Sequence, residues 1–213
     1  MKTHHPLPRA ILLIVLLLSA TGCDGRTVMA KNTSAPFIQG QVLDLGTNKP
    51  IPGAIVIAMW QETLSAAPIP ADSRTVCSHV ETAITDEQGH YQLPTWNGYE
   101  PSVYSSYKPG YIRSNEYYRL QQKVDQYVDL LEPFKGISKE RIKYLDRLDS
   151  MRSCSENTKL IPLYRAIYEE AKSIAVTQED KKIVEELLFG VESLELGSSE
   201  ALRKMTEREG KAK

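Results

Sequence analysis

Histidine is scarce in this chain. Four are present in 213 residues, and only His79 and His90 lie beyond the first 22 residues. A Gly-x-Ser-x-Gly elbow and a glycine-rich phosphate loop are both missing, and His79-Val-Glu81 does not have the spacing of a zinc-peptidase motif. We therefore interpret the histidines as polar strand residues beside a turn. The sequence predicts no catalytic residues, no metal site, no cofactor and no enzymatic activity.

A large net charge is also missing. The formal net charge is −1, and setting aside the first 22 residues leaves 24 basic against 27 acidic residues, a charge of −3. Proteins that bind nucleic acid use an excess of Lys and Arg to neutralise phosphates. The balance found here gives no reason to expect a nucleic-acid partner.

Long apolar runs are rare as well. Residues 10–20 form an unbroken run of apolar or small residues, preceded by Lys2 and Arg9. This run is shorter than the roughly 20 residues that a membrane-spanning helix needs. A basic start followed by a short apolar run is typical of a signal peptide, so residues 1–22 are expected to lie outside the fold.

The run ends in Ser19-Ala-Thr-Gly-Cys23, which resembles the lipobox of bacterial lipoproteins, although Ala20 stands where that motif usually has leucine. The resemblance implies acyl chains on Cys23, which would anchor the protein at the cell membrane facing the periplasm. Asp24 resembles an inner-membrane retention signal, but the choice of inner or outer membrane stays open. An ordinary signal peptide before a chance cysteine is the alternative. Residues 23–36 are expected to form a flexible tether.

Two further cysteines, Cys77 and Cys154, remain if Cys23 is acylated. An exported protein meets an oxidising compartment, where an even number of cysteines favours a disulfide. We therefore predict a Cys77–Cys154 bond between the two halves of the chain. Two buried free thiols are the alternative. A cysteine paired with His79 for catalysis explains the cysteines less well.

Several stretches have the patterns of β-strands and turns. Residues 37–44 alternate in polarity, and Gly40 within them indicates close approach of a neighbouring backbone. Residues 54–60 are apolar on both faces, which is typical of a central strand. Residues 61–74 have no period and are expected to form a surface loop. Turns are predicted at Asp86-Glu-Gln-Gly89 and Lys108-Pro-Gly110, and further strands at 75–85, around Tyr91 and Leu93, and at 103–107, 111–114 and 127–131.

Four short motifs together resemble a known module. Their order and spacing are similar to those of the carboxypeptidase regulatory-like domain, a small transthyretin-like antiparallel β-sandwich. The resemblance implies such a sandwich over residues 37–134, without catalytic activity of its own. The motifs are Gly40-Gln-Val42, Pro50-Ile-Pro-Gly-Ala54, Thr85-Asp86 with Gly89 and Tyr91, and Lys108-Pro-Gly-Tyr111.

The apolar spacing changes after this module. Ser138 begins a helical pattern, Asn157 precedes a second, and Thr177 caps a third. Residues 135–196 are therefore expected to form a small helical extension, and the charged residues 197–213 a disordered tail. The predicted fold class is α+β, with a β-sandwich followed by helices.

Aromatic residues are concentrated in and beside one loop. Trp96, Tyr99, Tyr104 and Tyr107 could form a binding face, because aromatic rings stack on sugars. Such residues are also ordinary in strands, where they pack. Residues 187–189 of the third helix are all apolar and, being adjacent, cannot all lie on one face of the helix. One of them could stay exposed and contact a partner protein, or the helix could pack against the sandwich on two sides.

Two functions are compatible with these features. The first is a non-enzymatic envelope lipoprotein that is held at the membrane by Cys23 and acts as an interaction or scaffold module for another envelope protein. The alternative is a module that binds a saccharide, such as peptidoglycan, through the aromatic loop face. The sequence gives no supported catalytic set for an enzyme.

Overall fold

The computed structural model describes residues 26–27, 37–65, 73–97, 99–114, 127–148, 154 and 157–211. Eight β-strands and four α-helices lie in these residues, so the chain is an α+β protein. The predicted signal peptide, Cys23 and the tether apart from residues 26–27 lie outside them. The elements are β1 Arg26–Thr27, β2 Phe37–Asp44, β3 Ile55–Ser65, β4 Ser73–Ile84, β5 His90–Pro94, β6 Val103–Tyr107, β7 Tyr111–Arg113, β8 Tyr127–Pro133, α1 Ser138–Leu148, α2 Ile161–Ile174 after a 3₁₀ turn Thr158–Leu160, α3 Gln178–Leu196 and α4 Ser198–Lys211.

The described strands form two sheets that share one core. In the first sheet β3 lies between β4 and β6, and the short β1 also pairs with β3, beyond the end of β6. The second sheet has the order β5-β2-β8-β7. Neighbouring strands are antiparallel except β2 and β8, which are parallel, so the expectation of a purely antiparallel sandwich is wrong at this pair. The two strands are far apart in sequence, and no hairpin therefore fixes their relative direction.

β3 is the central strand of the first sheet, as its sequence predicts. Ile57 and Met59 face the helices, whereas Val56 and Trp60 face the second sheet, and none of the four is more than 2% exposed. The strand thus separates two apolar clusters. Burying a side chain of this size stabilises the fold by roughly 1.5–3 kcal/mol. Because β3 buries side chains on both faces, it stabilises both clusters.

Both predicted turns form, and each carries the chain from one sheet to the other. Gly89 has a φ of 72° and Gly110 a φ of 78°, in the left-handed region that glycine tolerates best. The first turn joins β4 to β5 and the second joins β6 to β7. In the first turn Asp86 accepts hydrogen bonds from the backbone N–H groups of Gln88 and His90. The turns therefore tie the two layers together.

β3 and β4 continue past Trp60 as a paired extension, which we call the hairpin arm and which consists of residues 61–65 and 73–77. The predicted surface loop at 61–74 is therefore wrong, except for residues 66–72, which lie outside the described part. The arm has few apolar side chains, and backbone hydrogen bonds hold it instead of a buried face, so its sequence shows no period. β1 pairs with the arm, so the predicted tether is a strand at residues 26–27.

The first three helices pack on the outer face of the first sheet. Leu145 of α1, Ile167 of α2 and Leu187 of α3 are buried with the helix-facing residues of β3. The predicted cap of α3 is confirmed, because Thr177 and Asp180 form a reciprocal capping box. Backbone and side-chain hydrogen bonds from Thr177 lower the pKa of Asp180.

α4 replaces the disordered tail that was expected over residues 197–213, so that prediction is wrong for all but residues 212–213, which lie outside the described part. Burial of Ala201 and ion pairs both contribute to the order of α4. Arg203 pairs with Glu200 within α4, and Arg208 pairs with Glu192 of α3. A pair within one helix, such as Glu200 with Arg203, contributes a few tenths of a kcal/mol.

Candidate functional site

An aromatic cluster lies where β3 and β4 leave the sandwich. Trp60 and His79 are directly opposite each other on the two strands, with ring centroids 5.4 Å apart. Trp96, which follows β5, stacks on His79 with centroids 5.5 Å apart and planes only 8° from parallel. Nε1 of the buried Trp60 donates a hydrogen bond of 2.9 Å to the carbonyl oxygen of Tyr99. The inner indole is thus fixed, while His79 and Trp96 stay partly exposed.

Two charged side chains complete this cluster. Oε1 of Glu81 lies 2.7 Å from Nε2 of His79 and also accepts a hydrogen bond from Nζ of Lys159. The backbone carbonyl of Lys159 accepts a hydrogen bond from Thr82 at 3.1 Å, which holds the 3₁₀ turn against β4. We call His79, Glu81, Trp96 and Lys159 the indole–imidazole patch. It offers flat rings beside a carboxylate and an ammonium, a combination that can stack on an apolar face and bind hydroxyl groups.

A separate open cleft of about 470 Å³ lies at the far end of β4. His90, the other histidine beyond residue 22, lies there beside Asp86. Within the described part of the chain, no group of three or more His, Cys, Asp or Glu side chains could hold a metal ion. The cleft is lined by Gln39, Gly40, Ile84, Asp86, His90, Tyr91 and Gln92.

The four aromatic residues predicted as one binding face do not form one. Tyr104 and Tyr107 are only 8% and 3% exposed. They are three residues apart on β6 and therefore point to opposite faces, Tyr104 into the cluster between the sheets and Tyr107 towards the helices. Trp96 and Tyr99 remain together, because they pair across a short turn and are both partly exposed.

His79 is the residue of the patch that sequence reasoning missed as an aromatic partner. Its position opposite Trp60 follows from the register of β3 and β4. That register could not be predicted, because residues 61–74 show no alternation of polar and apolar residues. The apolar sequence of β3 predicted only that the indole of Trp60 is buried. Of residues 187–189, Leu187 is buried and the other two are partly buried, so none of the three is fully exposed.

The structure bonds Cys77 to Cys154, as the sequence predicts. An irregularity in the β3–β4 ladder makes this possible. Trp60 pairs with His79 and Gln61 with Cys77, so Ser78 is an extra residue without a partner in the ladder. Regular alternation would place Cys77 on the face of His79, away from the helices. The bulge turns Cys77 to the face that packs against the helical cluster, where Cys154 is buried.

A buried ion pair joins the helices to the sandwich. Arg141 of α1 donates two hydrogen bonds to Glu170 of α2, Nε to Oε1 at 2.7 Å and Nη2 to Oε2 at 2.9 Å. The same carboxylate accepts from the hydroxyl of Tyr107 and from the backbone N–H of Gly110, and Arg141 also donates to the carbonyl of Tyr111. Two helices, β6 and the β6–β7 turn are therefore connected at one point.

The pKa shifts of this network have clear physical causes. Burial alone would raise the pKa of Glu170, but the hydrogen bonds from Arg141 and Tyr107 outweigh burial, and the pKa is lowered. Burial, followed by the hydrogen bond to Glu170, raises the pKa of Tyr107. The tyrosine therefore stays protonated and donates, and the carboxylate stays ionised and accepts.

A second buried carboxylate lies on β8. Asp129 is fully buried, accepts a hydrogen bond from Ser106 of β6, and pairs with Nε of Arg113 at 3.2 Å. Burial raises the pKa of Asp129, although Arg113 and Ser106 oppose the shift. The hydrogen bond from Ser106 to Asp129 thus links the two sheets.

The fold and these sites define an α+β protein in which a helical layer covers one of two β-sheets, and the buried carboxylates of Asp129 and Glu170 each pair with an arginine. No protein-family model matches the chain, and neither a curated protein nor a solved structure matches it. Among the described helices, none is long and apolar enough to cross a membrane.

Proposed function

We propose that the protein is a non-enzymatic envelope lipoprotein, anchored by an acylated Cys23, facing the periplasm and acting as an interaction or scaffold module for another envelope protein. In this proposal the sandwich is a carboxypeptidase regulatory-like, transthyretin-like module, and the helical layer is part of the same binding body. The lipobox-like residues before Cys23 and the four sequence motifs of the module support these assignments.

The joining of helices to sandwich carries the scaffold proposal. The Arg141–Glu170 pair, the shared apolar cluster and the Cys77–Cys154 bond all connect the helical layer to the first sheet. Such connections favour a fixed surface with little rearrangement, which lowers the cost of ordering on binding. Cys77 is oxidised and Glu170 is paired, so neither is available as a nucleophile or base.

In-cell photo-crosslinking of the full-length protein tests this function. A photoreactive residue at the exposed position of Gln92 samples the sandwich, and one at the exposed position of Lys172 samples the helices. We expect a reproducible protein partner from one of the two positions, with the crosslink lost in Cys23→Ser. Absence of any partner from both positions would count against the scaffold function.

One observation favours saccharide binding as a second function. The stacked rings of His79 and Trp96 are partly exposed beside Glu81 and Lys159. Retention of the purified protein on peptidoglycan sacculi is the test. Trp96→Ala should abolish retention, whereas Tyr168→Ala, which removes a partly buried aromatic ring on α2, should not. Equal retention of both variants would remove this function.

A further inference from the structure

The pairing of β1 with β3 fixes the direction of the chain at Arg26. Arg26 pairs with Leu64 and Thr27 with Thr63, and the two strands are antiparallel. Going backwards from Arg26 therefore corresponds to going forwards along β3, towards Ser65 and the free end of the hairpin arm. At Arg26 the chain, followed towards its N-terminus, is therefore directed to this end of the molecule.

The length of chain between β1 and Cys23 is short. Arg26 is three positions after Cys23, and an extended chain spans at most about 3.6 Å per residue, or about 11 Å in all. Along β3, Ser65 is ten positions after Ile55, a distance of roughly 33 Å at about 3.3 Å per residue. Ile55 pairs with Ile84, just before the Asp86–Gly89 turn. One end of the molecule is thus within reach of Cys23, and the other is not.

We infer that the free end of the hairpin arm, at residues 63–65 and 73–75, contacts the surface of the lipid bilayer that holds Cys23, and that the Asp86–Gly89 turn points away from it. This inference rests on the proposed lipid anchor at Cys23. It adds a membrane-facing surface and an orientation, which the anchor alone does not determine.

The sequence at this end suits a bilayer surface. Of the described residues at this end, 63–65, 73 and 75 are uncharged and Arg74 is exposed, so contact with headgroups buries no charge. Near this end in the sequence, Arg26 and Arg74 are more than offset by Asp24, Glu62 and Asp72. Electrostatic attraction therefore does not bring the arm to the bilayer. The short segment between Cys23 and Arg26 does.

A fluorescence-quenching experiment tests the orientation. The full-length lipidated protein is reconstituted into vesicles of phosphatidylethanolamine and phosphatidylglycerol that contain a lipid with a nitroxide on its headgroup. A fluorescent amino acid replaces Thr75 at the end of the arm or, as the matched control, Glu87 in the distant turn; both positions are exposed. We expect the probe at position 75 to be quenched several-fold more strongly than the probe at position 87. Equal quenching, or stronger quenching at position 87, would overturn the inference.

Vesicle flotation separates failure of this inference from failure of the proposed anchor. If neither the natural protein nor the Cys23→Ser variant floats with vesicles, the proposal of a lipid anchor at Cys23 is wrong. The thiol of Cys23 in the mature chain can then be coupled to a maleimide lipid, because Cys77 and Cys154 are bonded to each other. The same comparison of positions 75 and 87 decides the orientation on those vesicles. Non-reducing peptide mapping of the Cys77–Cys154 pair verifies that each labelled protein is folded.

Discussion

Arg141 and Glu170 form a two-pronged ion pair in which the side chains are only 3% and 9% exposed. Neither charge has ready access to water, and each also binds groups of the sandwich. The net contribution of such a pair is small compared with the cost of breaking it, because removing one partner leaves the other charge buried. Removing either charge is therefore expected to weaken the packing of the helical layer on the sheet.

Glu170→Gln is expected to destabilise the protein by about 3–5 kcal/mol, because Arg141 would remain buried without its counter-charge. Urea unfolding followed by circular dichroism measures the change in the free energy of unfolding. Glu195→Gln is the control, since Glu195 pairs with Arg165, whose side chain is largely exposed, and surface pairs contribute about 0–1 kcal/mol. Similar losses in the two variants would show that the buried pair has no special role.

The stability difference between the natural protein and Glu170→Gln should depend on pH. The pKa of Glu170 in the folded state is below its ordinary value of 4.5, so the unfolded state binds the proton more tightly. The contribution of the ionised carboxylate is therefore fully present above pH 4.5 and is lost as the pH falls through the folded-state pKa. Unfolding curves across this range should converge at acid pH, and a constant gap would contradict the shift.

Deleting Ser78 should leave the Cys77–Cys154 bond intact, because Cys77 then still lies opposite Gln61 on the face that contacts the helices. Inserting an alanine between Trp60 and Gln61 is the opposite change. It gives Ser78 a partner and turns Cys77 to the other face. Non-reducing peptide mapping should find the linked pair after the deletion and free thiols after the insertion. A linked pair in both variants would mean that the bulge does not direct Cys77.

Gly40→Ala should destabilise the second sheet by about 1–3 kcal/mol, the usual range for overpacking. A Cβ at this position would overlap the hydroxyl of Tyr91 and the backbone carbonyl of Tyr127, and a carbonyl within a sheet cannot move away cheaply. Gly46→Ala is the matched control, because the nearest atom to its Cβ would be a carboxylate oxygen of Asp44 at 3.6 Å. Thermal unfolding of both variants measures the difference, and equal midpoints would contradict the close approach.

Local patterns predicted much of this fold. The apolar residues on both faces of β3 indicated a central strand, Gly40 indicated a close backbone contact, and Thr177 indicated the start of α3; the structure confirms all three. In each case the signal and its cause lie within a few residues of each other. The Cys77–Cys154 disulfide was predicted from the number of cysteines left in an oxidising compartment. This prediction required no knowledge of the three-dimensional structure.

The features that were missed depend on contacts between distant segments. The parallel direction of β8 depends on its pairing with β2, which lies far away in the sequence. The order of α4 depends in part on an ion pair with α3, which a hydrophobic pattern does not reveal. Tyr104 and Tyr107 are an odd number of positions apart on the same strand, so their side chains point to opposite faces of the sheet. They therefore belong to different apolar clusters. The stacking of His79 on Trp96 likewise required the register of the hairpin arm.

The parallel pairing of β2 with β8 also affects when the protein can fold. Tyr127 follows its partner Gly40 by 87 residues, so β2 is available for pairing long before β8 whenever the chain is delivered from its N-terminus. Until β8 arrives, β5 can cover one edge of β2, but the other edge has no partner and is open to pairing with another chain. The second layer can therefore close only after residues 127–133 are available.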